Sequence, residues 1–576
     1  MHGQRARWRV AAPLPDWLRA ELPGVSVMLA HLLYCRGYES AEAIEELLSG
    51  AVVSHDPALL PDIDAAVARI ALAIEQGETV AIYGDFDCDG LTATAVLATT
   101  LQALNAPTLV HIPSRDDGHG LHPEALAALR DQGVSLILTA DCGIGSIDEV
   151  RVARGMGMDV IVTDHHEPRR DGSLPACLTI NPRRQDSRYP FHDLCGVGVA
   201  LKLVEALAAR LPDVPDPDDF LDLAALGTVA DVVPLRDENR SLVVRGLRRL
   251  RQTQRPGLLA LFRVAGVEQA KLDPVSLAFY LAPRINAANR LAHPQLAYDL
   301  ITAGDAESAE RLAGELHAFN LQRQALVAEH AEALITTIGD PGHIATAIRA
   351  GDRAPLLFTV GSWPPGISGL LATRLVETYG VPAFAGTVAA GGELSVSARG
   401  PAGAHIERLL EDCESAVPGG IFLGFGGHAR AGGFRASADR LPEVESLLME
   451  QARGTLAPGV TESELVVDAV VGLGQLTLDA AHKIQSLAPF GAEFPEPLFL
   501  ARRVTLLRCS PVKGGAHARI TLRHNGVSIN GISFHVSPKI FELAPATLID
   551  AVFHLQINDW NGQRRVELCL RDWRAV

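Results

Sequence analysis

The chain has 576 residues, of which 48% are hydrophobic and 21% are charged, and its formal net charge is −17. This length exceeds one hydrophobic core and predicts about three or four domains, while the acidic balance argues against indiscriminate binding to polyanions. The eight cysteines contain no C-x-x-C pair, which argues against a disulfide framework, and the absence of a secretion signal or a long apolar stretch predicts a cytoplasmic protein.

Residues 1–60 are predicted to form an N-terminal helical cap. Apolar residues recur at helical spacing around Trp17 and between Glu42 and Leu48, and Pro57 and Pro61 end the pattern. No candidate catalytic residue stands out in this segment.

Strand and helix patterns alternate from about residue 62 to residue 240, which predicts a mostly parallel sheet. The predicted strands are Thr79–Tyr83, Thr108–Ile112, Val134–Thr139, Asp159–Thr163 and Leu178–Ile180. A helix predicted over Leu221–Val229 leads into Asp231.

Ionisable residues follow four of these strands. They are Asp85, Asp87 and Asp89; Arg115; Asp141; and Asp164, His165 and His166. Parallel strands present their carboxyl ends at one edge of a sheet, so these side chains are expected in one crevice. Carboxylate oxygens with imidazole nitrogens suit Mn²⁺ or Mg²⁺. Each group taken alone also fits a polar loop, and the aspartates at 85–89 also fit a helix cap.

Three later segments carry candidate anion-binding residues. Arg284 and Asn286 lie in APRINAANR (282–290), where they suit phosphate oxygens but would equally cap helices. A long connecting helix is predicted over 305–338, and a second α/β unit begins near Pro355. In that unit the candidates are Ser397, Arg399, Gly426, Gly427 and His428. Glycines admit a close phosphate, although a tight turn explains the glycine-rich 424–433 segment as well.

The last part of the chain changes character. Pro458 and Gly459 predict a linker, and short β-rich runs follow, as in a small barrel. From Arg502 to Arg574 there are eleven Lys or Arg and five Asp or Glu, which gives 11 − 5 = +6 in an acidic chain. Such an asymmetry is typical of a polyanion-binding module.

With these residues in place, the chain resembles the DHH phosphoesterase superfamily and, within it, the RecJ exonucleases specific for single-stranded DNA. The resemblance runs from about residue 60 to the end. Its motifs, in order, are YGDFDCDG (83–90), PSRDDGHG (113–120), DCG (141–143), DHH (164–166), ADVVPL (230–235), APRINAANR (282–290), GGHARAGG (426–433) and LAPFGAEFPEP (487–497).

The resemblance implies an α/β architecture with two α/β domains and a C-terminal OB-like barrel. The expected division is the cap at 1–60, a DHH catalytic domain at 61–300, the connecting helix at 301–340, a DHH-associated domain at 341–455 and the barrel at 456–576. It also implies metal-dependent hydrolysis of single-stranded DNA from 5′ to 3′, yielding mononucleotides, in recombination and repair.

The resemblance further implies the roles of individual residues. The expected ligands of two Mn²⁺ or Mg²⁺ ions are Asp85, Asp87, Asp141, His165 and Asp231. Asp89 and Asp164 are expected to support that site, and His166 to contact the scissile phosphate or assist proton transfer. The residues expected to bind DNA phosphates are Arg115, Arg284, Asn286, Ser397, Arg399, Gly426, Gly427 and His428.

The implied partners are single-stranded DNA, a single-stranded-DNA-binding protein and a RecQ-type helicase. The enzyme is expected to be a monomer that does not bind membranes.

Cys88, His119 and Asn289 depart from the family pattern, which usually has alanine, an aromatic residue and glycine at these positions. Two alternatives stay open. One is a DHH phosphodiesterase for short oligonucleotides or cyclic dinucleotides, which would not need the basic β-rich domain. The other is a non-catalytic scaffold, which predicts missing ligands that this chain retains.

Overall fold

The secondary structure covers four successive stretches of the chain. This computed structural model describes residues 7–115, 117–389, 391–456, 464–534, 538–544, 546–560 and 563–576. The first stretch comprises β1 (Arg7–Val10), α1 (Asp16–Glu21), α2 (Val27–Tyr34) and α3 (Ala41–Ser49). The second comprises α4 (Ile63–Gln76), β2 (Thr79–Tyr83), α5 (Cys88–Ala103), β3 (Thr108–His111), α6 (Pro123–Asp131), β4 (Val134–Thr139), α7 (Ile147–Gly155), β5 (Asp159–Thr163), β6 (Leu178–Ile180), α8 (Gly196–Ala208), α9 (Leu221–Ala230), α10 (Asp237–Leu250), α11 (Pro256–Ala265), a π-helical turn (Ser276–Leu281), α12 (Ala282–Leu291), α13 (Gln295–Ile301) and α14 (Ala306–Ile338).

The remaining two stretches follow α14 along the chain. The third comprises α15 (Pro341–Ala350), β7 (Leu357–Val360), α16 (Ser368–Tyr379), β8 (Ala383–Val388), β9 (Glu393–Arg399), α17 (Ile406–Ala416), β10 (Gly424–His428), β11 (Ala431–Ser437) and α18 (Leu441–Thr455). The fourth comprises β12 (Glu464–Val467), β13 (Ala469–Val470), α19 (Leu478–Gln485), β14 (Phe499–Val512), β15 (His517–His524), β16 (Val527–Phe534), β17 (Thr547–Trp560) and β18 (Gln563–Ala575).

The first sheet is wholly parallel, in the strand order β3-β2-β4-β5-β6. Its strands are almost continuously apolar because helices cover both faces of a parallel sheet. Ala81, Tyr83, Ile137, Val160 and Val162 belong to the core on one face. The predicted parallel sheet is confirmed, and β3 ends at His111, one residue earlier than predicted.

This sheet belongs to a compact unit formed by Val52–Ala325 and Pro489–Pro495. The short second segment packs on α10 and the loop before it. The backbone N–H of Leu235 donates to the carbonyl of Ala492 over 2.9 Å. The guanidinium of Arg240 lies 4.5 Å from the ring centroid of Phe494. The LAPFGAEFPEP motif therefore contributes a structural segment to this unit.

The second sheet has the order β10-β11-β9-β8-β7, in which only β7 and β8 pair in parallel. The glycine-rich stretch from Gly424 to Gly433 differs from the predicted loop or tight turn, because β10 and β11 form an antiparallel hairpin there. Glycine weakens a strand on its own. Here the ladder between β11 and β9 supplies the backbone hydrogen bonds that hold the hairpin in the sheet.

The C-terminal strands close into the predicted barrel. The order is β14-β15-β16-β18-β17, and β17 pairs back onto β14. Closure removes the exposed edges that an open sheet of this size would leave. The mixed α/β fold with a small barrel is thus confirmed.

The N-terminal segment is not purely helical as predicted. Residues 7–10 form β1, which pairs in parallel with β12. The indole N–H of Trp8 donates to the carboxylate of Asp572 over 2.8 Å, so the segment is attached to the barrel strands. A short strand of this kind depends on a partner 457 residues away (464 − 7 = 457), which local patterning does not reveal.

Two remaining sequence predictions concern the linker and membrane spans. The linker at Pro458 and Gly459 lies outside the described residues. Within the described part of the chain, no helix combines the length and the apolar character needed to cross a membrane.

Candidate functional site

The carboxyl ends of β2 and β4 carry the centre of the site. The chain runs from β2 to β3 on one side and then returns to place β4 on the other side of β2. Such a change of direction opens a crevice where ligands of parallel sheets bind. Asp85 and Asp87 follow β2, and Asp141 follows β4 with a positive φ of 67°. The predicted convergence of strand ends is therefore observed for these three carboxylates.

The start of α5 fixes two of the aspartates. Asp87 is the N-cap of this helix, and its Oδ1 accepts the backbone N–H groups of Asp89 and Gly90. Asp89 faces the N-terminus of α8, where its carboxylate accepts the N–H groups of Gly196 over 2.6 Å and Val197 over 2.9 Å. Asp89 thus ties two helices together beneath the crevice.

Asp141 and His165 bring two unpartnered buried atoms together. His165 Nε2 lies 3.0 Å from Asp141 Oδ1, 3.7 Å from Asp231 Oδ2 and 3.9 Å from Asp89 Oδ2. Among the described residues, neither His165 Nε2 nor Asp141 Oδ1 has a hydrogen-bond partner of acceptable geometry. Leaving buried polar atoms unpaired is costly, so their convergence fits a cation-binding site.

Burial and mutual repulsion disfavour the charged form of the carboxylates in this cluster. Burial, followed by the charge of Asp87, raises the pKa of Asp89 to about 7. Burial and the charge of Asp89 raise the pKa of Asp141 and of Asp231 well above its usual range. Burial and the charge of His166 lower the pKa of His165 to about 3, so its imidazole is neutral and able to ligate.

Asp164 orients His166 at the mouth of the crevice. Its Oδ1 accepts the His166 ring Nδ1–H over 2.7 Å, and its Oδ2 accepts the backbone N–H of Ile144 over 2.9 Å. Burial opposes the charge of Asp164, but its interactions with His166 hold the pKa of Asp164 well below its usual range. The same contact raises the pKa of His166 against the effect of burial. The His166 side chain is 45% exposed and faces solvent as a substrate-contacting group would.

His119 and Arg183 also reach this cluster, although sequence reasoning gave neither a role there. His119 Nδ1 lies 3.2 Å from Asp85 Oδ1, and its ring packs against His166. Burial opposes protonation of His119, but the hydrogen bond to Asp85 raises its pKa to about 9. The positive charge of Arg183 opposes the rise in the pKa of Asp231 that burial causes. Arg183 Nη2 donates to the carboxylate of Asp193. Arg183 follows β6, so the strand-end rule could have identified it.

The ligand atoms fit Mn²⁺ or Mg²⁺. Asp85, Asp87 and Asp141 offer oxygens within 4.8 Å of one another, and so do the ligand atoms of Asp89, His165 and Asp231. Oxygen-rich sites with one imidazole suit these cations. Cys88 is buried in α5, and burial with the charge of Asp87 raises its pKa well above its usual range, so the thiol stays protonated. A protonated thiol is a poor ligand.

The predicted phosphate-binding residues of the first unit occupy different environments. Arg115 lies 5.3 Å from the ring centroid of Phe86 in the carboxylate-bearing loop. Arg284 is 9% exposed and donates from Nη1 to the carbonyl of Tyr280. The side-chain oxygen of Asn286 is buried and has no hydrogen-bond partner within the described residues.

The other predicted phosphate-binding residues lie in the second sheet. Ser397 and Arg399 point to the same face of β9, near the N-terminus of α16. A Cβ added to Gly369 in that helix would lie 3.0 Å from Arg399 Nη2 and 3.7 Å from Ser397 Cβ. Gly426, Gly427 and His428 are exposed on β10. A helix N-terminus beside Arg399 has the chemistry of an anion site.

Sequence profiles of three domain families match the chain. The DHH family N-terminal domain matches residues 79–228, the DHHA1 domain matches residues 354–454, and the RecJ OB domain matches residues 467–572. The single-stranded-DNA-specific exonuclease RecJ of Bacillus subtilis (strain 168) is 34% identical over 583 residues, which cover 99% of this chain and 71% of that protein.

Solved structures of RecJ proteins are also similar to this chain. RecJ from Thermus thermophilus in complex with Mn²⁺ superposes with a TM-score of 0.82 at 29% identity, covering 99% of this chain and 80% of that chain. The complex of that protein with Mg²⁺ gives a TM-score of 0.75 at 28% identity, covering 99% of this chain and 78% of that chain.

Proposed function

The chain belongs to the RecJ family, and we propose that the crevice at the ends of β2 and β4 is its centre for hydrolysing single-stranded DNA. The enzyme is a single-stranded-DNA-specific exonuclease. Its proposed polarity is 5′ to 3′, with mononucleotides as products. The observation that carries the assignment is the pair of unpartnered buried atoms, Asp141 Oδ1 and His165 Nε2, inside a cluster of carboxylates.

Mn²⁺ or Mg²⁺ is the cofactor, as in the RecJ complexes of known structure. The residues proposed to hold two ions are Asp85, Asp87, Asp141, His165 and Asp231. When bound, such ions polarise a phosphoryl oxygen and supply a hydroxide-like nucleophile at neutral pH. Asp89 belongs beside the ligands, because its carboxylate also faces His165 and Asp231.

His166 is proposed to contact the scissile phosphate or to move a proton during hydrolysis. Asp164 holds the His166 ring through Nδ1, which leaves Nε2 directed away from this contact. The raised pKa of His166, maintained by Asp164 against burial, makes the imidazolium available to a phosphate anion. Asp164 is therefore a positioning residue, and His166 is the group that meets the substrate.

Phosphates of the strand are proposed to bind at two sets of residues, each described within its own part of the chain. The first set is Arg115, Arg284 and Asn286. The second set is Ser397, Arg399, Gly426, Gly427 and His428. Arginines and backbone N–H groups bind phosphate without reading base identity, so these contacts are expected to hold strands of any sequence.

The barrel is proposed to hold the strand electrostatically. A groove of about 480 Å³ on the barrel is lined by Arg508, Ser510, Arg519, Ile520, Thr521, Asn530, Gly531, Asn558 and Glu567. The excess of six positive charges between Arg502 and Arg574 (11 − 5 = +6) provides the attraction. OB-type barrels use such grooves for single strands.

We also propose that the enzyme acts as a monomer with a single-stranded-DNA-binding protein and a RecQ-type helicase as partners. A nuclease specific for single strands can degrade duplex DNA only after another protein has separated its strands. Co-sedimentation of the purified chain with each candidate, and its mass in solution, would test these proposals.

Asp141→Ala tests the catalytic assignment. We expect hydrolysis of end-labelled single-stranded DNA in Mn²⁺ to be abolished, because a ligand is lost, while DNA binding stays close to wild type. Asp148→Ala is the control, since Asp148 is an exposed aspartate of α7 paired with Arg151. Wild-type turnover by Asp141→Ala would refute the site, and degradation only from an unblocked 3′ end would refute the polarity.

A further inference from the structure

The loop of residues 84–87, here called the carboxylate loop, joins β2 to α5 and carries Asp85 and Asp87. Its two carboxylates, of which Asp85 is buried and Asp87 half-buried, must keep their positions although they repel each other. Asp87 is held by N–H groups of its own helix. Among the described residues, the partners of Asp85 and of the Phe86 carbonyl come from other segments of the chain.

His119 supports Asp85. Its Nδ1 lies 3.2 Å from Asp85 Oδ1, and because an ionised carboxylate only accepts hydrogen bonds, the imidazole is the donor. His119 stands between Gly118 and Gly120, whose φ values of 96° and 99° are in the region that favours glycine. This backbone turns the His119 side chain toward the carboxylate loop.

Asn289 supports the next residue of the loop. Its Nδ2 donates to the carbonyl of Phe86 over 2.9 Å, and the residue is only 5% exposed. A glycine at position 289 would leave that carbonyl without this donor. Arg115 adds a contact of 5.3 Å to the centroid of the Phe86 ring. Successive residues of the loop are therefore held from outside it.

We propose that His119 and Asn289 are positioning residues of the metal centre. His119, in the loop after β3, and Asn289, in α12, fix the carboxylate loop from two different segments of the chain. The proposal rests on the metal assignment made under the proposed function. It gives a role to two residues that the sequence alone left without one. Hydrogen bonds to ligating carboxylates tune metal affinity, and their loss typically costs about 10- to 100-fold in affinity.

The test is Mn²⁺ affinity of the full chain, measured by titration calorimetry and by electron paramagnetic resonance of unbound Mn²⁺. We expect His119→Phe and Asn289→Gly each to weaken binding by about 10- to 100-fold. His119→Asn is expected to restore binding, because its amide N–H replaces the Nδ1–H donor. Both substitutions act on one loop, so their combined effect should be smaller than the product of the two.

His55→Phe is the matched control. His55 Nε2 lies 2.7 Å from Asp237 Oδ1. The substitution therefore removes a similar imidazole–carboxylate contact from the same compact unit. We expect its Mn²⁺ affinity to equal that of the wild type. Saturating Mn²⁺ should also restore turnover to His119→Phe but not to Asp141→Ala.

Two outcomes separate the possible failures. If Asp141→Ala weakens Mn²⁺ binding but His119→Phe and Asn289→Gly bind as the wild type does, the positioning role is wrong. If Asp141→Ala also binds Mn²⁺ with wild-type affinity, the metal assignment itself is wrong and the positioning role falls with it. Circular dichroism identifies a variant that fails to fold, and the other substitution then decides the question.

Discussion

At the scale of single residues, protons are expected to compete with metal ions for the ligands proposed in the crevice. In the folded, metal-free protein, hydrogen bonding to Asp85 outweighs burial and raises the pKa of His119 to about 9. Burial and neighbouring charge raise the pKa of Asp141 and of Asp231. The folded chain therefore binds more protons than the unfolded chain above neutral pH, and linkage makes its stability fall as pH rises.

We expect the melting temperature of the chelator-treated protein to fall between about pH 7 and about pH 9. Burial and the charge of His166 lower the pKa of His165 to about 3, so His165 is neutral in the folded state. The unfolded chain has lost most of the His165 proton by about pH 7, so His165 opposes the trend only near the lower end of this range. The increase in melting temperature on adding Mg²⁺ should grow over the same range, because fewer protons compete. Thermal melts at both pH values, with chelator and with Mg²⁺, check this. If the increase in melting temperature caused by Mg²⁺ becomes smaller as pH rises, the assignment of the metal ligands is contradicted.

Individual site residues differ in how far the sequence could predict them. Asp85, Asp141 and His165 follow apolar strands, and the parallel-sheet rule brings such positions together. The bonds from Asp89 to the N–H groups of Gly196 and Val197 join residues more than 100 positions apart (196 − 89 = 107). Neither those bonds nor the contact of Asn289 with Phe86 leaves a local pattern, so tertiary packing alone reveals them.

At the scale of elements, one glycine sets how closely three helices approach. Gly227 lies in α9, and a Cβ added there would be 2.7 Å from Val197 Cγ1 of α8 and 2.8 Å from Asp89 Oδ1 of α5. The close approach matters because Asp89 lies in the first turn of α5 and Asp231 is the C-cap of α9. The small residue thus helps bring these two carboxylates to His165.

Gly227→Ala is expected to lower both stability and metal affinity. The methyl group must displace side chains of a close-packed core, which typically costs about 1–3 kcal/mol and outweighs the better helix propensity of alanine. Gly314→Ala in α14 is the control, because no heavy atom of the described chain lies within 4 Å of its added Cβ. We expect that variant to be neutral or stabilised by about 0.5–1 kcal/mol. Urea unfolding and Mn²⁺ titration measure both effects, and equal behaviour of the two variants would exclude the packing argument.

Elements with strong periodicity were predictable, whereas elements that depend on a remote partner were not. The boundaries predicted for β2, β4, β5 and β6 agree with the structure, because buried parallel strands are continuous apolar runs. The hairpin of β10 and β11 escaped prediction because its glycines suggest a turn. Its pairing with β9 is a property of the sheet and not of the glycine-rich segment itself.

At the scale of the whole molecule, the N-terminal segment packs against the C-terminal part of the chain. Arg36 Nη1 donates to Asp468 Oδ1 over 2.9 Å, and this ion pair is buried. The guanidinium of Arg574 lies 3.8 Å from the ring centroid of Trp8. Removing the barrel alone would break this ion pair, and breaking a buried ion pair by removing one partner is strongly destabilising. A truncation meant to test the barrel would therefore disturb the N-terminal segment too.

Point substitutions in the barrel groove test its proposed role without that disturbance. Arg508 and Arg519 line the groove from the neighbouring strands β14 and β15, and both are exposed. Each arginine that neutralises a phosphate releases a counterion, so its removal should reduce the salt dependence of binding by about one ion. We therefore expect Arg508→Ala and Arg519→Ala to bind long single-stranded DNA more weakly at low salt.

The same two variants should leave hydrolysis of a dinucleotide unchanged, because so short a substrate needs only the metal centre. Arg311→Ala is the matched control, since Arg311 is an exposed arginine of α14 paired with Glu315. Fluorescence anisotropy across a salt series measures the slope of log affinity against log salt. If the slopes of Arg508→Ala and Arg519→Ala equal those of the wild type and of Arg311→Ala, the groove does not bind phosphates. If dinucleotide hydrolysis falls as much as long-strand binding, the arginines act on the fold and not on the strand.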